Sequence, residues 1–117
     1  MESKEGSKKI NWQDFEKVEL RVGTITRVED FPEAKNPAFK LWIDFGEYGI
    51  KKSSSQITKL YKKQDLIGKQ VVCVTNFQSK QVGKFISEVL TTGFVVSDEG
   101  VVLCIPERTI KNGTRLA

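Results

Sequence analysis

The segment FKLWIDFG, residues 39–46, constrains the fold more than any other stretch of the chain. Every second residue in it is large and apolar: Phe39, Leu41, Ile43 and Phe45. Because successive side chains of a β-strand point to opposite faces, this alternation predicts a half-buried strand with Lys40, Trp42 and Asp44 on its outer face. The turn signal GEYG follows, and IKKSSSQI, residues 50–57, is predicted to return as the next strand.

The preceding segment, ELRVGTITRVEDF, residues 19–31, predicts a bent strand. Leu20, Val22 and Val28 share one phase of a period-two pattern, whereas Ile25 falls on the other phase. A phase slip with Gly23 inside it is typical of a bulged strand that curves strongly.

The remaining segments extend this pattern. ITKLYKKQDLIG, residues 57–68, has helical spacing and a natural stop at Gly68. KQVVCVTNF, residues 69–77, and SEVLTTGFVV, residues 87–96, predict further strands, and VVLCIP is predicted to pair with the latter across SDEG. Three strands, a short helix and two more strands predict an all-β, five-stranded Greek-key barrel of the OB-fold type, with the helix between strands three and four. An unrelated small β-barrel is the alternative.

The two ends of the chain add to this barrel. Residues 1–9 are charged and predict a disordered tail, and residues 10–117 predict a single domain. INWQDF, residues 10–15, predicts a short helix that Asn11 caps, with Trp12 and Phe15 on one face. The C-terminal tail contains a turn signal at Asn112-Gly113.

Composition argues against an enzyme. The chain has no histidine, and its two cysteines, Cys73 and Cys104, lie far apart inside apolar runs. The commonest general base, the commonest metal ligand and every Ser-His or Cys-His pair are therefore excluded, and no metal or cofactor is expected. No apolar run approaches the ~20 residues of a membrane span, and the N-terminus has no signal-peptide pattern, so a cytoplasmic protein without membrane insertion is predicted.

Three consecutive serines stand at an unusual position, within KKSSSQI, residues 51–57. Serine is a poor strand former, so these residues either fill the crowded barrel interior or line a groove. Ser53, Ser54 and Gln56 could bond an extended peptide backbone, or equally the phosphate and 2′-OH groups of RNA.

Aromatic and basic residues near this stretch are the other candidates. Phe77 and Phe85 flank the loop QSKQVGK; Phe77 is predicted to be either core or ligand contact, and Phe85 is expected to be exposed. The outward-facing Trp42 is a third apolar candidate, and its alternative use is to cover a neighbouring strand. The net charge of +4 permits nucleic acid or acidic peptides without requiring them. The candidate cations are Lys40, Lys51, Lys52, Lys80 and Lys84.

LRVGTITRVEDFPEAKNPAFKLWIDFG, QITKLYKKQDLIGKQVVCVTNF and ISEVLTTGF together resemble the tRNA-binding OB domain family. Within this family the chain resembles the CsaA branch, described as export-related chaperones, through WQDF, KSSSQI, Asn76-Phe77 and SEVL, residues 87–90. The resemblance implies a homodimer that binds unfolded or export-destined polypeptides, with structure-specific tRNA binding as the alternative.

The resemblance also implies where the ligand and the second subunit bind. The free-standing members of the family form dimers through their N- and C-terminal additions, which here implies Trp12 and Phe15 at the interface; the alternative is that these rings plug their own barrel. The predicted peptide- or RNA-binding residues are Lys40, Lys52, Ser53, Ser54, Gln56, Asn76, Phe77, Lys84, Phe85 and Ser87.

Overall fold

The computed structural model describes residues 7–117, which form an all-β molecule with two short helices. The helices are α1 (Trp12–Glu16) and α2 (Lys63–Leu66), and a 3-10 turn covers Gly46–Tyr48. The strands are β1 (Leu20–Asp30), β2 (Phe39–Asp44), β3 (Ile50–Ser55), β4 (Gln70–Val74), β5 (Lys80–Val82), β6 (Phe85–Ser87), β7 (Leu90–Thr91), β8 (Gly93–Val96) and β9 (Gly100–Leu103).

Five strands form one antiparallel sheet in the order β3-β2-β1-β4-β7, and the two ends of this sheet approach each other. The Thr91 hydroxyl of β7 donates to the Ser53 hydroxyl of β3 at 2.9 Å. Just before β7, the N–H of Glu88 donates to the Lys52 carbonyl oxygen at 2.8 Å. The nearly closed barrel, with α2 between its third and fourth strands, confirms the predicted OB-fold.

The alternation predicted for β2 is confirmed. Its inward residues are buried in the main core, and its outward residues are partly exposed. Strands β1 and β4 and helix α2 supply most of the remaining core side chains, including Ile25, Val71, Cys73 and Leu66. Burial of these apolar side chains stabilises the barrel by roughly 1.5–3 kcal/mol for each large side chain.

Strand β1 is bent as predicted, because it serves both halves of the barrel. Its first half pairs with β4 and its second half with β2, and the register with β2 shifts between Ile25 and Arg27. Gly23 lies at close approach to the core: a Cβ there would stand 2.6 Å from the Ile43 side chain and 2.8 Å from the ring of Phe45. The absence of a side chain at Gly23 therefore allows the bent strand to pack against β2.

The C-terminal segment folds back on β1, beyond the point where β2 stops pairing. The N–H of Val22 donates to the Thr114 carbonyl at 3.0 Å, and the N–H of Leu116 donates to the Leu20 carbonyl at 2.9 Å. The predicted turn at Asn112-Gly113 precedes this contact, and Gly113 has a φ of 93°. The tail thus covers backbone groups that would otherwise form an open strand edge.

The N-terminal addition is a capped helix attached to the same region. Asn11 and Asp14 form a capping box in which each side chain accepts from the other residue's backbone N–H. The Arg115 guanidinium donates to the Glu16 carbonyl oxygen at 2.8 Å and links the helix to the C-terminal tail. Of the predicted disordered tail, residues 7–9 are exposed and lie in neither helix nor strand, and residues 1–6 lie outside the described residues.

Three predicted elements differ from the structure. The helix predicted over residues 57–68 is only Lys63–Leu66, because Lys62 has an extended backbone and acts as its N-cap. The strand predicted over residues 87–96 is divided between β7 and β8 at Thr92, whose N–H and hydroxyl both bond to the Val72 carbonyl. Part of the predicted loop QSKQVGK is strand β5, paired with β6.

Replacing Gly23 with alanine tests the close approach of β1 to the core. The added methyl group collides with Ile43 and Phe45, so Gly23→Ala is expected to lower the free energy of unfolding by about 3 kcal/mol, measured by urea denaturation. Gly83→Ala is the control, because a Cβ there meets nothing within 4 Å and only its left-handed backbone, at φ 60°, costs about 1 kcal/mol. Equal decreases in the free energy of unfolding of the two variants would contradict this explanation of how β1 packs.

Candidate functional site

Hairpin β5–β6 lies against the outer face of the barrel and forms one wall of the candidate site. Phe85, at the start of β6, packs against the rings of Phe31 and Trp42, with centroids 5.5 and 5.8 Å away. Together with Ala38, these rings form a small apolar cluster outside the main core. The cluster attaches the hairpin to strand β2.

The expected exposure of Phe85 is wrong, because only 8% of this residue is exposed. The Nζ atoms of Lys52 and Lys40 lie 5.3 and 5.7 Å from the centroid of its ring. Lys40 is also 5.0 Å from the ring of Phe31 and 3.9 Å from the Glu33 carboxylate. Cation–π attraction holds both ammonium groups over the aromatic cluster. Three predicted ligand residues therefore have a structural use here, in attaching the hairpin.

Trp42, the outward aromatic residue of β2, belongs to the same cluster. It is partly buried, and the Arg27 guanidinium lies 4.5 Å from its ring centroid. The alternative prediction for Trp42, that it covers a neighbouring strand, agrees with these contacts.

The three serines alternate between the inside and the outside of the barrel. Ser53 and Ser55 are buried, and the Ser53 hydroxyl bonds to Thr91 across the barrel seam. Ser54 faces out, and its backbone N–H donates to the Ser87 hydroxyl at 3.0 Å. The prediction that Ser53 contacts a ligand is therefore wrong, because its side chain lies inside the barrel.

A groove of about 770 Å³ lies between the hairpin and the barrel seam. Its walls come from the loop after β1, the end of β3 and the stretch from residue 77 to residue 90. Among the predicted ligand residues, the structure brings four together in this lining: Ser54, Gln56, Phe77 and Ser87.

Phe77 supplies an accessible ring in the groove. It is 56% exposed, so the alternative prediction that it belongs to the core is wrong. Small and aliphatic side chains lie along the same lining: Ala34, Ala38, Val82, Val89 and Leu90. The groove therefore combines an aromatic face with aliphatic surface, which is the composition of a pocket for apolar side chains.

The polar part of the groove carries few charges. Lys35 and Lys80 contribute two cations, and Glu88 contributes a carboxylate that accepts from the backbone N–H of Lys52 at 3.0 Å. Gln56 is exposed, and neither its side-chain amide nor its backbone forms a hydrogen bond with any residue from 7 to 117. Gln56 is thus available to bond a ligand.

The two remaining predicted ligand residues, Asn76 and Lys84, also lie outside the groove lining. The side chain of Asn76 accepts from the N–H of Glu19 at 2.9 Å and donates to the Lys17 carbonyl at 2.8 Å, so it connects the end of β4 to the end of α1. Lys84 is exposed in the turn between β5 and β6.

Sequence reasoning missed the part that hairpin β5–β6 and the loop at residues 34–36 play in the groove. A signal for the hairpin was present, since the pair Gly83-Lys84 separates two short apolar-containing runs. A two-residue turn that begins with glycine is typical of a tight hairpin, and Gly83 has a φ of 60°. No comparable signal placed residues 34–36 beside the hairpin.

The groups with shifted pKa values lie away from the groove. Hydrogen bonds from Arg21 and Thr75 hold the pKa of the Glu19 carboxyl below its usual value. Burial raises the pKa of the Cys73 thiol to about 12, so this thiol stays protonated at neutral pH. Within residues 7–117 no three His, Cys, Asp or Glu side chains are grouped as metal ligands, and neither helix there has the length and apolar character needed to cross a membrane.

Two surfaces outside the groove expose large apolar side chains. Trp12 of α1 is 60% exposed, and its ring centroid lies 5.7 Å from that of Phe15. Helix α1 has no buried residue, so the alternative that these rings plug their own barrel is wrong. Hairpin β8–β9 exposes Phe94 and Val95, the latter by 84%.

Comparison with known proteins identifies a family that this chain matches. A family described as a putative tRNA binding domain matches residues 20–115. Among curated proteins, the methionine–tRNA ligase of Nanoarchaeum equitans is 33% identical over 111 residues, which cover 92% of this chain and 13% of that protein. The chain therefore spans only a small part of that ligase.

Solved structures named as chaperone CsaA are more similar. The protein from Bacillus anthracis superposes with a TM-score of 0.89 at 49% identity, covering 94% of this chain and 100% of that one. The protein from Picrophilus torridus gives a TM-score of 0.87 at 47% identity, covering 93% of this chain and 100% of that one.

Proposed function

Because this chain belongs to the putative tRNA binding domain family, we propose that it is a binding module rather than a catalyst. Its ligand in this proposal is unfolded polypeptide, including chains destined for export, held in the groove between hairpin β5–β6 and the barrel seam. The role is that of a chaperone, as in the names of the two similar structures. The proposed compartment is the cytoplasm, where unfolded chains await export.

The observation that carries this proposal is that one groove contains both the exposed ring of Phe77 and the unbonded amide of Gln56. An unfolded polypeptide presents apolar side chains together with backbone N–H and C=O groups. The aliphatic lining and the Phe77 ring suit the side chains, whereas the Ser54 and Gln56 side chains suit the backbone. One groove thus offers both kinds of contact within about 770 Å³.

The charges of the groove favour polypeptide over nucleic acid. A nucleic-acid site needs a positive track along the backbone and aromatic faces for unpaired bases. Lys40 and Lys52, two of the cations predicted for such a track, lie over the aromatic cluster. The groove lining itself contains one aromatic ring, two lysines and a carboxylate.

Transfer-RNA binding is the second candidate function, and the family match favours it. The named methionine–tRNA ligase relative and the net charge of +4 are consistent with contact to RNA. In this alternative the lysines around the groove, Lys35, Lys80 and Lys84, contact backbone phosphates.

We also propose that the protein acts as a homodimer. The exposed apolar side chains of α1 and of hairpin β8–β9 are large enough to favour burial against a second copy. Trp12 and Phe15 would contribute from the N-terminal addition. Two weak grooves held on one rigid dimer would bind a single long chain with increased avidity.

Replacing Phe77 with alanine tests polypeptide binding. Loss of the exposed ring is expected to weaken the affinity for a fluorescent unfolded peptide by about tenfold, measured by fluorescence anisotropy. Ile67→Ala is the matched control, because Ile67 is similarly exposed but does not line the groove. The assignment fails if the two variants bind the peptide equally well.

Titration with bulk tRNA at two salt concentrations tests the second candidate. A tRNA-binding groove predicts an affinity that falls steeply with salt, with a log–log slope of about 0.7 to 0.9 for each phosphate neutralised. Peptide binding through apolar contacts is expected to change little over the same range. A flat response to salt, or no tRNA binding at low ionic strength, would exclude the RNA function.

Sedimentation equilibrium tests the dimer. Trp12→Glu places a charge on the proposed interface and is expected to shift the protein from dimer to monomer, because an unpaired buried charge is costly. Ile67→Glu adds the same charge at another exposed apolar position and should leave the dimer intact. A wild-type protein that sediments as a monomer would refute this proposal.

A further inference from the structure

One edge of strand β3 has no neighbouring strand along its length. Strand β3 is the end of the five-stranded sheet, and β2 pairs with it on one side only. On the other side, the Lys52 carbonyl accepts from the N–H groups of Glu88 and Val89 at 2.8 and 3.3 Å. The backbone groups of even-numbered residues in β3 therefore point toward the barrel seam and the groove.

Side chains take the place of a neighbouring strand over part of this edge. The Glu88 carboxylate accepts from the N–H of Lys52, and the Ser87 hydroxyl accepts from the N–H of Ser54, each at 3.0 Å. In an ordinary sheet these N–H groups would donate to carbonyl oxygens of another strand. Two donors of the edge are thus satisfied without strand pairing.

Gln56 is the next residue in the same alternation, and there no side chain takes the place of a neighbouring strand. Its backbone N–H and C=O have no hydrogen-bond partner among residues 7–117. Gln56 also lines both the 770 Å³ groove and a second groove of about 460 Å³ that continues along the seam toward Thr91 and Val101. An unpaired piece of strand edge therefore opens at the junction of two grooves.

We propose that an extended polypeptide segment binds here by strand addition, pairing its backbone with the free edge at Gln56. This inference rests on the proposed polypeptide-binding function and specifies how the ligand is recognised. The open residue itself indicates this occupant, since the unpaired N–H and C=O of a residue that continues a strand edge are complementary to the C=O and N–H of another extended backbone. Side chains of the added segment occupy the two adjoining grooves, one of which contains the Phe77 ring.

Recognition of this kind depends little on ligand sequence. Backbone hydrogen bonds are available from any residue except proline, and the grooves accept apolar side chains of different shapes. Because few backbone groups of the edge are open at the groove, few such bonds form and binding is weak. Weak and sequence-tolerant binding suits a protein that must accept many unfolded chains.

Substitutions at Gln56 distinguish the contribution of its backbone N–H group to binding from that of its side chain. Gln56→Pro removes the N–H group without breaking an internal hydrogen bond, and the preceding Ser55 already has the extended backbone that proline favours. Gln56→Ala keeps the N–H group and removes only the side-chain amide. The probe is a fluorescein-labelled peptide of ten alternating leucine and threonine residues, flanked by aspartates for solubility.

Gln56→Ala is expected to bind this peptide somewhat more weakly than the wild type, because it loses the side-chain amide, and Gln56→Pro about tenfold more weakly than Gln56→Ala, because it loses the N–H group as well. Equal affinities for the two variants would overturn strand addition and leave polypeptide binding in place. If the wild-type protein does not bind the peptide at all, the proposed function itself fails, and strand addition with it. Thermal unfolding of each variant reports whether it has folded.

Hydrogen exchange of the wild-type protein provides a measurement that needs no variant. The amide of Gln56 is expected to exchange at least tenfold more slowly when the peptide is bound, because it then donates to the ligand. The exposed amide of Glu107 is the control and should not change. Peptide binding without slower exchange at Gln56 would overturn the inference.

Discussion

The structure depends on the close approach of strand β1 to strand β2, where Gly23 meets Ile43 and Phe45 without a side chain of its own. The approach lets one strand bend far enough to pair with β4 in its first half and β2 in its second. Without this double pairing, the sheet would stay open and the β3–β7 seam would not form. The groove depends on that seam, since the end of β3 and the stretch leading into β7 form two of its walls.

Aromatic residues have two distinct uses in this arrangement. Phe31, Trp42 and Phe85 form a cluster outside the barrel and hold a short hairpin that could not be stable alone. The ring of Phe77 is left accessible. Most of the aromatic surface near the groove is thus buried in the cluster that holds the hairpin in place. A smaller part, the Phe77 ring, is exposed to a ligand.

The barrel could be predicted from sequence, and the site only in part. Strict alternation in β2 and the phase slip in β1 report local backbone geometry, so both strands were predicted correctly. Exposure of Phe85 depends on what packs over it, namely Trp42 and Phe31 from distant parts of the chain. Alternation alone implied that some of the serines face inward, but which ones do so depends on the register between β3 and β2.

The capping of β3 by Ser87 and Glu88 has a consequence for the protein's own solubility. Copies of a protein with a long free strand edge could pair edge to edge and grow into fibres. Here the Glu88 carboxylate and the Ser87 hydroxyl already accept from the N–H groups of Lys52 and Ser54, so a second copy cannot pair with that edge along its full length. This edge of the barrel is therefore protected against seeding the aggregation of the protein's own copies.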